Sequence, residues 1–254
     1  MDRLAKSKSE ITHSAIIYEY PCGVVDIIHS TKGFTEAGWE AAGAKPQPQR
    51  QSRKVESGEL VESVADLGRS MRRARANLRR LALANDFKYF VTLTLDQTKI
   101  DRYDPKIIVK TLNSWLDNRV RRKGLKYVLV PERHKDGAIH FHGFFNGALR
   151  VIDSGRRDSG GHTIYNLPDW TLGFTTAIEL YGEYGSAVGY VTKYIGKGNE
   201  KPMGRWYYSG GALAQPSKIY ADLDRDDLLV EYAGECVEFN VPTAKITVIH
   251  TRKE

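Results

Sequence analysis

The residues best suited to chemistry stand in one stretch, Tyr127-Val128-Leu129-Val130-Pro131-Glu132, followed after a polar break by Ile139-His140-Phe141-His142-Gly143-Phe144-Phe145. Successive side chains of a strand alternate faces, so His140 and His142 point the same way while Ile139 and Phe141 turn to the opposite, apolar side. Lys135-Asp136-Gly137 reads as a hairpin turn, which makes the two segments antiparallel neighbours and can carry Glu132 across from the histidine pair. One carboxylate and two imidazoles form a three-ligand set with coordination positions left open. A hard divalent ion, Mn²⁺ or Mg²⁺ rather than zinc, would suit that set and polarise a phosphoryl group as a Lewis acid. His134, in the turn, reads as a surface residue.

A second constellation is Val188-Gly189-Tyr190-Val191-Thr192-Lys193-Tyr194-Ile195-Gly196-Lys197. On a helix, positions four apart are neighbours, so Tyr190 and Tyr194 share one face and Lys193 and Lys197 share another. A phenol with a pKa of about 10 is a weak nucleophile at neutral pH. To attack, it needs alignment, nearby positive charge and a polarised phosphodiester. Taken singly, each constellation also has an ordinary reading, as a half-exposed strand face and as packing at a helix edge.

These residues need a scaffold, and the pattern around them predicts one. Residues 87–95, rich in β-branched and aromatic side chains, read as a buried strand. Asp104-Pro105 opens a helix that runs to about Arg122 and ends at Gly124. Strands follow over 126–132, 138–145 and 174–180, with a mobile loop at 150–161, a helix over 184–197 and two short strands at 237–241 and 245–250. Upstream, apolar runs at 15–20 and 24–28 flank Pro21-Cys22-Gly23 as a hairpin, and the Pro, Gln and basic composition of 41–59 reads as a linker. Between 60 and 84, apolar residues at three- and four-residue steps mark one face of a helix whose other face carries Arg69, Arg72, Arg73, Arg75, Arg79 and Arg80. The division expected is therefore 1–58, hairpin and basic linker, and 59–254, a catalytic domain that includes the C-terminal strands.

Three segments taken in order, Phe90-Val91-Thr92-Leu93-Thr94-Leu95, His140-Phe141-His142 and Tyr190-Val191-Thr192-Lys193-Tyr194, resemble the motifs of the HUH endonucleases. The tyrosine pair with an intervening lysine is most similar to the two-tyrosine rolling-circle replication initiators of phages, plasmids and bacterial mobile elements. The resemblance covers about 88–197. It implies an α+β fold: a central antiparallel, RRM-like sheet with helices on one face and the metal site plus tyrosine helix on the other. Glu132, His140 and His142 would hold the cation at a scissile phosphate. Tyr190 or Tyr194 would attack, in an order the residues leave open, forming a 5′-phosphotyrosine link, and the second phenol would rejoin the product. Lys193 and Lys197 would contact phosphate or stabilise developing charge. Arg72, Arg73, Arg79 and Arg80 would help hold DNA, and Trp206, Tyr207 and Tyr208 offer stacking surfaces for unpaired bases. Implied partners are single-stranded or hairpin origin DNA and a host helicase and DNA polymerase. The other readings are an HUH transposase or relaxase, a phosphodiesterase without a covalent step, and a non-catalytic single-stranded nucleic-acid binder. Relaxases usually carry a third histidine where Glu132 stands, and the transposases usually one tyrosine.

Bulk composition agrees. Across 254 residues, 41% hydrophobic and 10% aromatic content supports a folded core, and a net charge of +7 suits a polyanionic partner. Two cysteines, Cys22 and Cys236, form no metal-ligand spacing or disulfide framework, and no apolar run or secretory pattern appears. A cytoplasmic protein away from membranes, monomeric or weakly oligomeric, is expected. No GxxxxGK[ST] phosphate loop is present, so unwinding would fall to a separate helicase.

Overall fold

The structure is a computed structural model that describes residues 12–35, 64–180, 184–197, 200–232, 236–241 and 243–252. In chain order the strands are β1 (Thr12–Glu19), β2 (Val24–Thr35), β3 (Tyr89–Thr94), β4 (Tyr127–Arg133), β5 (Ile139–Phe145), β6 (Ile152–Arg157), β7 (Thr163–Asn166), β8 (Thr175–Glu179), β9 (Tyr208–Gly210), β10 (Ser217–Ala221), β11 (Cys236–Val241) and β12 (Ala244–Arg252). The helices are α1 (Val64–Leu83), α2 (Pro105–Lys123), α3 (Tyr184–Thr192) and α4 (Arg225–Glu231). They fall into two compact units, one formed by Glu62–Pro216 and one by the two ends of the chain, Met1–Val61 with Ser217–Glu254. The expected linker at 41–59 lies outside the described residues, as do the first positions of the helix expected from residue 60.

The larger unit is built on a seven-stranded antiparallel sheet in the order β6-β7-β8-β3-β5-β4-β9. One face is a dry core: Val91 and Leu93 of β3, Leu129 of β4 and Phe141 and Phe145 of β5 pack with Ile108, Leu112, Trp115 and Leu116 of α2. Helix α2 forms where its termini direct. The Asp104 carboxylate accepts hydrogen bonds from the backbone N–H groups of Lys106 and Ile107, Pro105 opens the first turn, and Gly124 closes the last at φ 68° with its N–H on the carbonyls of Arg119 and Val120. On the other face of the sheet, alternation places Phe90, Thr92, His140, His142, Phe144 and Glu132. The Tyr190 ring of α3 meets Phe90, and Tyr184 meets Phe144. Helix α1 packs on this same side: Ala82 and Asn85 offer carbonyls to the Tyr184 hydroxyl, and Trp206 donates its indole N–H to Ser70 of α1.

One glycine is obligatory between the paired strands. A Cβ at Gly143 would stand 1.9 Å from the Val128 carbonyl oxygen, so any side chain there forces β4 and β5 apart beside the histidines.

Two expectations are corrected. The loop expected at 150–161 contains β6, which pairs with β7. Its turn is fastened by Asp158, whose carboxylate accepts from the N–H groups of Gly160 and His162. The charges that suggested a mobile loop are those of an exposed edge strand, where they discourage pairing with other chains. The helix expected over 184–197 ends at Thr192. Beyond it, Lys193, Tyr194, Ile195 and Lys197 each donate a backbone N–H to the carbonyl three residues earlier, a tighter winding than the α-helix, and Gly196 takes φ 78°.

The second unit holds a five-stranded antiparallel sheet, β10-β1-β2-β12-β11. Its hairpin β1–β2 turns where expected, with Gly23 at φ 79°. The C-terminal strands grouped in sequence with the 59–254 region pair with that hairpin: β12 runs antiparallel to β2 with Ile249 opposite Ile27. Val25, Ile27, Ile249 and Leu228 of α4 make its core. No helix of the described residues is long and apolar enough to cross a membrane.

Candidate active site

The site grows from the β4–β5 hairpin. The register sets Glu132 opposite His140 and Val130 opposite His142, so the carboxylate and both imidazoles emerge on one face. The ligand-capable atoms of Glu132, His140 and His142 all lie within 4.8 Å of one another. The two Nε2 atoms are 2.9 Å apart, and Glu132 Oε2 lies 3.3 Å from that of His140 and 3.1 Å from that of His142. Thr92 of the neighbouring strand stands behind the cluster with its hydroxyl 3.1 Å from His142 Nδ1, which fixes the ring's orientation and leaves Nε2 toward the cleft.

Electrostatics prepare these groups for a cation. Burial lowers the His140 pKa and, reinforced by the charge of His140, brings His142 down to about 4, so both imidazoles keep their lone pairs free at neutral pH. Burial alone would push the Glu132 carboxyl up. The hydrogen bond from Lys197 and the nearby His142 outweigh it and hold the group below the usual carboxylate range. An ionised carboxylate beside two neutral imidazoles fits a divalent metal, whose ligands must be deprotonated to bind. The site could bind such an ion; the donor set does not choose between Mn²⁺ and Mg²⁺.

The tyrosines arrive from α3 and the turn after it. The Tyr194 ring lies on His142, 4.0 Å between centroids and 20° between planes. Its hydroxyl donates to that of Tyr190 at 2.7 Å. Burial and this hydrogen bond raise the Tyr194 pKa, so the phenol is neutral as it stands. Tyr190 is 51% exposed. Lys197 donates to Glu132 Oε1 at 2.5 Å and holds its ammonium 5.5 Å from the Tyr194 ring centroid. Lys193 is exposed and does not line the cleft, so only one of the two expected lysines joins the carboxylate and the phenols. Together Glu132, His140, His142, Tyr194, Lys197 and Trp206 border a cleft of about 690 Å³.

The basic helix divides by role. Arg72 and Arg73 are exposed; Arg79 and Arg80 are half-buried. Arg75, counted in sequence with the basic face, turns inward and donates to the Ile195 carbonyl from Nε at 3.1 Å and Nη2 at 2.7 Å. It thereby clamps the turn that carries Tyr194 and Lys197. No local signal marks Arg75 off from its neighbours, because its partner lies 120 positions away. Of the aromatics at 206–208, Tyr208 is a buried core residue that donates to the Met203 carbonyl, which corrects its expected role as a stacking surface. Trp206 borders the cleft with Lys201 5.4 Å over its ring. Thr92 was legible through the same alternation that paired the histidines.

A sheet that presents two imidazoles and a carboxylate beside a pair of phenols is an arrangement fitted to metal-assisted chemistry on a phosphate. Compared with known families, residues 88–199, from the start of β3 to just past Lys197, match the model of a family of replication-associated proteins, the ORF2 type. The match supports a replication initiator, with DNA as its partner. No curated protein and no solved structure matches the chain.

Proposed function

We propose that this chain is a two-tyrosine rolling-circle replication initiator of the HUH endonuclease class, nicking single-stranded origin DNA and rejoining it through a phosphotyrosine link. The observation that carries the reading is the stacking of Tyr194 on His142, which sets a phenol beside the only cluster of metal-capable side chains found among the described residues.

Glu132, His140 and His142 would hold a divalent cation, Mn²⁺ or Mg²⁺, whose contribution when bound is to polarise the scissile phosphodiester and neutralise its charge. The chain's own residues do the rest. A tyrosine oxygen attacks phosphorus and gives up its proton; the bond from phosphorus to the 3′ oxygen breaks; that oxygen takes up a proton and leaves as a free 3′ hydroxyl. The 5′ phosphate remains on the tyrosine. Lys197, charged and exposed at its tip, stands where it can steady phosphate charge once DNA enters. The hydrogen-bonded pair Tyr190 and Tyr194 supplies a second phenol that can attack the regenerated junction and close the released circle. The free 3′ hydroxyl would be extended by a host polymerase, with a host helicase opening the duplex. Arg72 and Arg73, exposed on α1, are proposed DNA contacts, and Arg79 and Arg80 weaker ones.

Incubation of the full chain with single-stranded origin DNA and Mn²⁺, followed by mass spectrometry, should give a peptide containing Tyr190 or Tyr194 that carries a nucleotide. Chelator should abolish it. An adduct that persists in the Tyr190→Phe, Tyr194→Phe double variant would exclude the assigned nucleophiles.

A further inference from the structure

Helix α2 has an outer side that the proposed chemistry leaves unused. Its inner side is occupied by Ile108, Leu112, Trp115 and Leu116 against the sheet face opposite the histidines. Outward, Lys110, Ser114, Asn118 and Arg122 recur at four-residue steps along one stripe, and with Arg119 and Leu172 they border a groove of about 740 Å³. None of the residues bordering it is acidic, and three are cationic: Lys110, Arg119 and Arg122. The Asp169 carboxylate, beside Arg119, is already paired with that guanidinium at 3.5 Å. Lys110 and Arg122 are exposed. Their separation along the helix axis is roughly 18 Å at the usual α-helical rise.

The chemistry of this groove differs from that of the active-site cleft. The cleft presents the rings of Tyr194 and Trp206, which suit unpaired bases. The groove presents no aromatic face: Trp115 is 8% exposed, its indole N–H is donated to the Asp169 carbonyl at 2.8 Å, and Arg119 covers its ring at 5.4 Å. What it does present is positive charge interleaved with hydroxyl and amide groups, the complement of a phosphate backbone and of nothing that distinguishes one base from another. Duplex DNA, with a charge about every 1.7 Å of its axis, matches a stripe of this length and lack of stacking surfaces.

We infer that the outer face of α2 is a second nucleic-acid surface, which holds the phosphate backbone of duplex DNA on the side of the sheet away from the histidine pair. The inference rests on reading the chain as a DNA-processing protein, and the test separates the two. Fluorescence anisotropy of the full chain is measured against a blunt labelled duplex over a range of salt concentrations, and against a short single strand. The Lys110→Gln, Arg122→Gln double variant should weaken duplex binding and reduce the slope of log K against log salt by about 2, near 0.9 for each phosphate no longer neutralised. Ser114→Glu, which sets a carboxylate in the middle of the stripe, should weaken the duplex too. Single-strand binding and adduct formation on the short strand should stay as in the wild type. An unchanged slope in the double variant overturns the proposal, and so does an equal fall in duplex affinity from Arg150→Gln, Arg156→Gln, which would assign the effect to net charge. Duplex binding that responds as expected in a protein that never forms the adduct would retain the α2 surface and refute the nickase reading.

Discussion

Tyr194 and His142 stack face to face, 4.0 Å between ring centroids, although they lie on different elements and reach each other only through the turn after α3. This stacking joins the two halves of the site. It holds the phenol against the metal-capable cluster, and it shields His142 from water, which is the largest reason that imidazole stays neutral.

The ring and the hydroxyl of Tyr194 should therefore have separable effects. Tyr194→Phe keeps the stack and should leave thermal stability nearly unchanged, while Tyr194→Ala should lose the aromatic pair, worth about 0.5 to 1.5 kcal/mol beyond its buried area. Urea unfolding of the two variants checks this. Equal stability losses would mean that the stack contributes nothing.

Arg75 is expected to act through position. Its forked donation to the Ile195 carbonyl would be removed in Arg75→Ala, at about 1.5 to 3 kcal/mol for a charged hydrogen bond, and adduct formation should fall with it. Arg75→Lys should rescue little, since an ammonium cannot reproduce the fork. The salt dependence of DNA binding distinguishes the roles: a positioning residue leaves the slope as it was, whereas a phosphate-binding one lowers it by about 1.

Gly196 should tolerate no side chain. At φ 78° a Cβ is strained, and it would meet Met71 Sδ at 2.0 Å. Gly196→Ala should cost about 1 to 3 kcal/mol and slow adduct formation. Pairing it with Met71→Ala should recover the steric part and leave the backbone strain, so a double variant as impaired as the single one would contradict this account.

Acid should destabilise the metal-free protein in a defined window. The His142 pKa is lowered to about 4, so between roughly pH 6.5 and 4 the unfolded chain binds a proton that the folded one refuses. Stability is then full above the unfolded pKa and falls as pH drops, by up to about 1.4 kcal/mol per pH unit for this group, with His140 acting in the same direction. Denaturant unfolding in chelator at a series of pH values should show this fall, and His142→Gln should flatten it. A wild-type curve flat across the window would refute the buried neutral imidazole.

Much of the candidate site was legible because it is local. Strand alternation puts His140 and His142 on one face, and a tight turn brings Glu132 opposite His140; neither depends on distant parts of the chain. The same holds for α2, whose Asp104 and Gly124 caps mark its ends within a turn of the helix itself. Edge elements read less well. The charges of β6 imitate a loop, and only pairing with β7 makes a strand of them.

Sequence alone determined which residues could bind a cation and attack a phosphate, since side-chain chemistry and periods of two and of about four are written in neighbouring positions. Tertiary structure decided which of them meet. It sent Lys197 to Glu132 and left Lys193 in solvent, turned Arg75 from the basic face onto the Ile195 carbonyl, and joined β12 to β2 across most of the chain. Each of those outcomes rests on the angle at which a whole helix or strand lands on its neighbours. That angle is set by the packing of many buried side chains at once, which no single segment encodes.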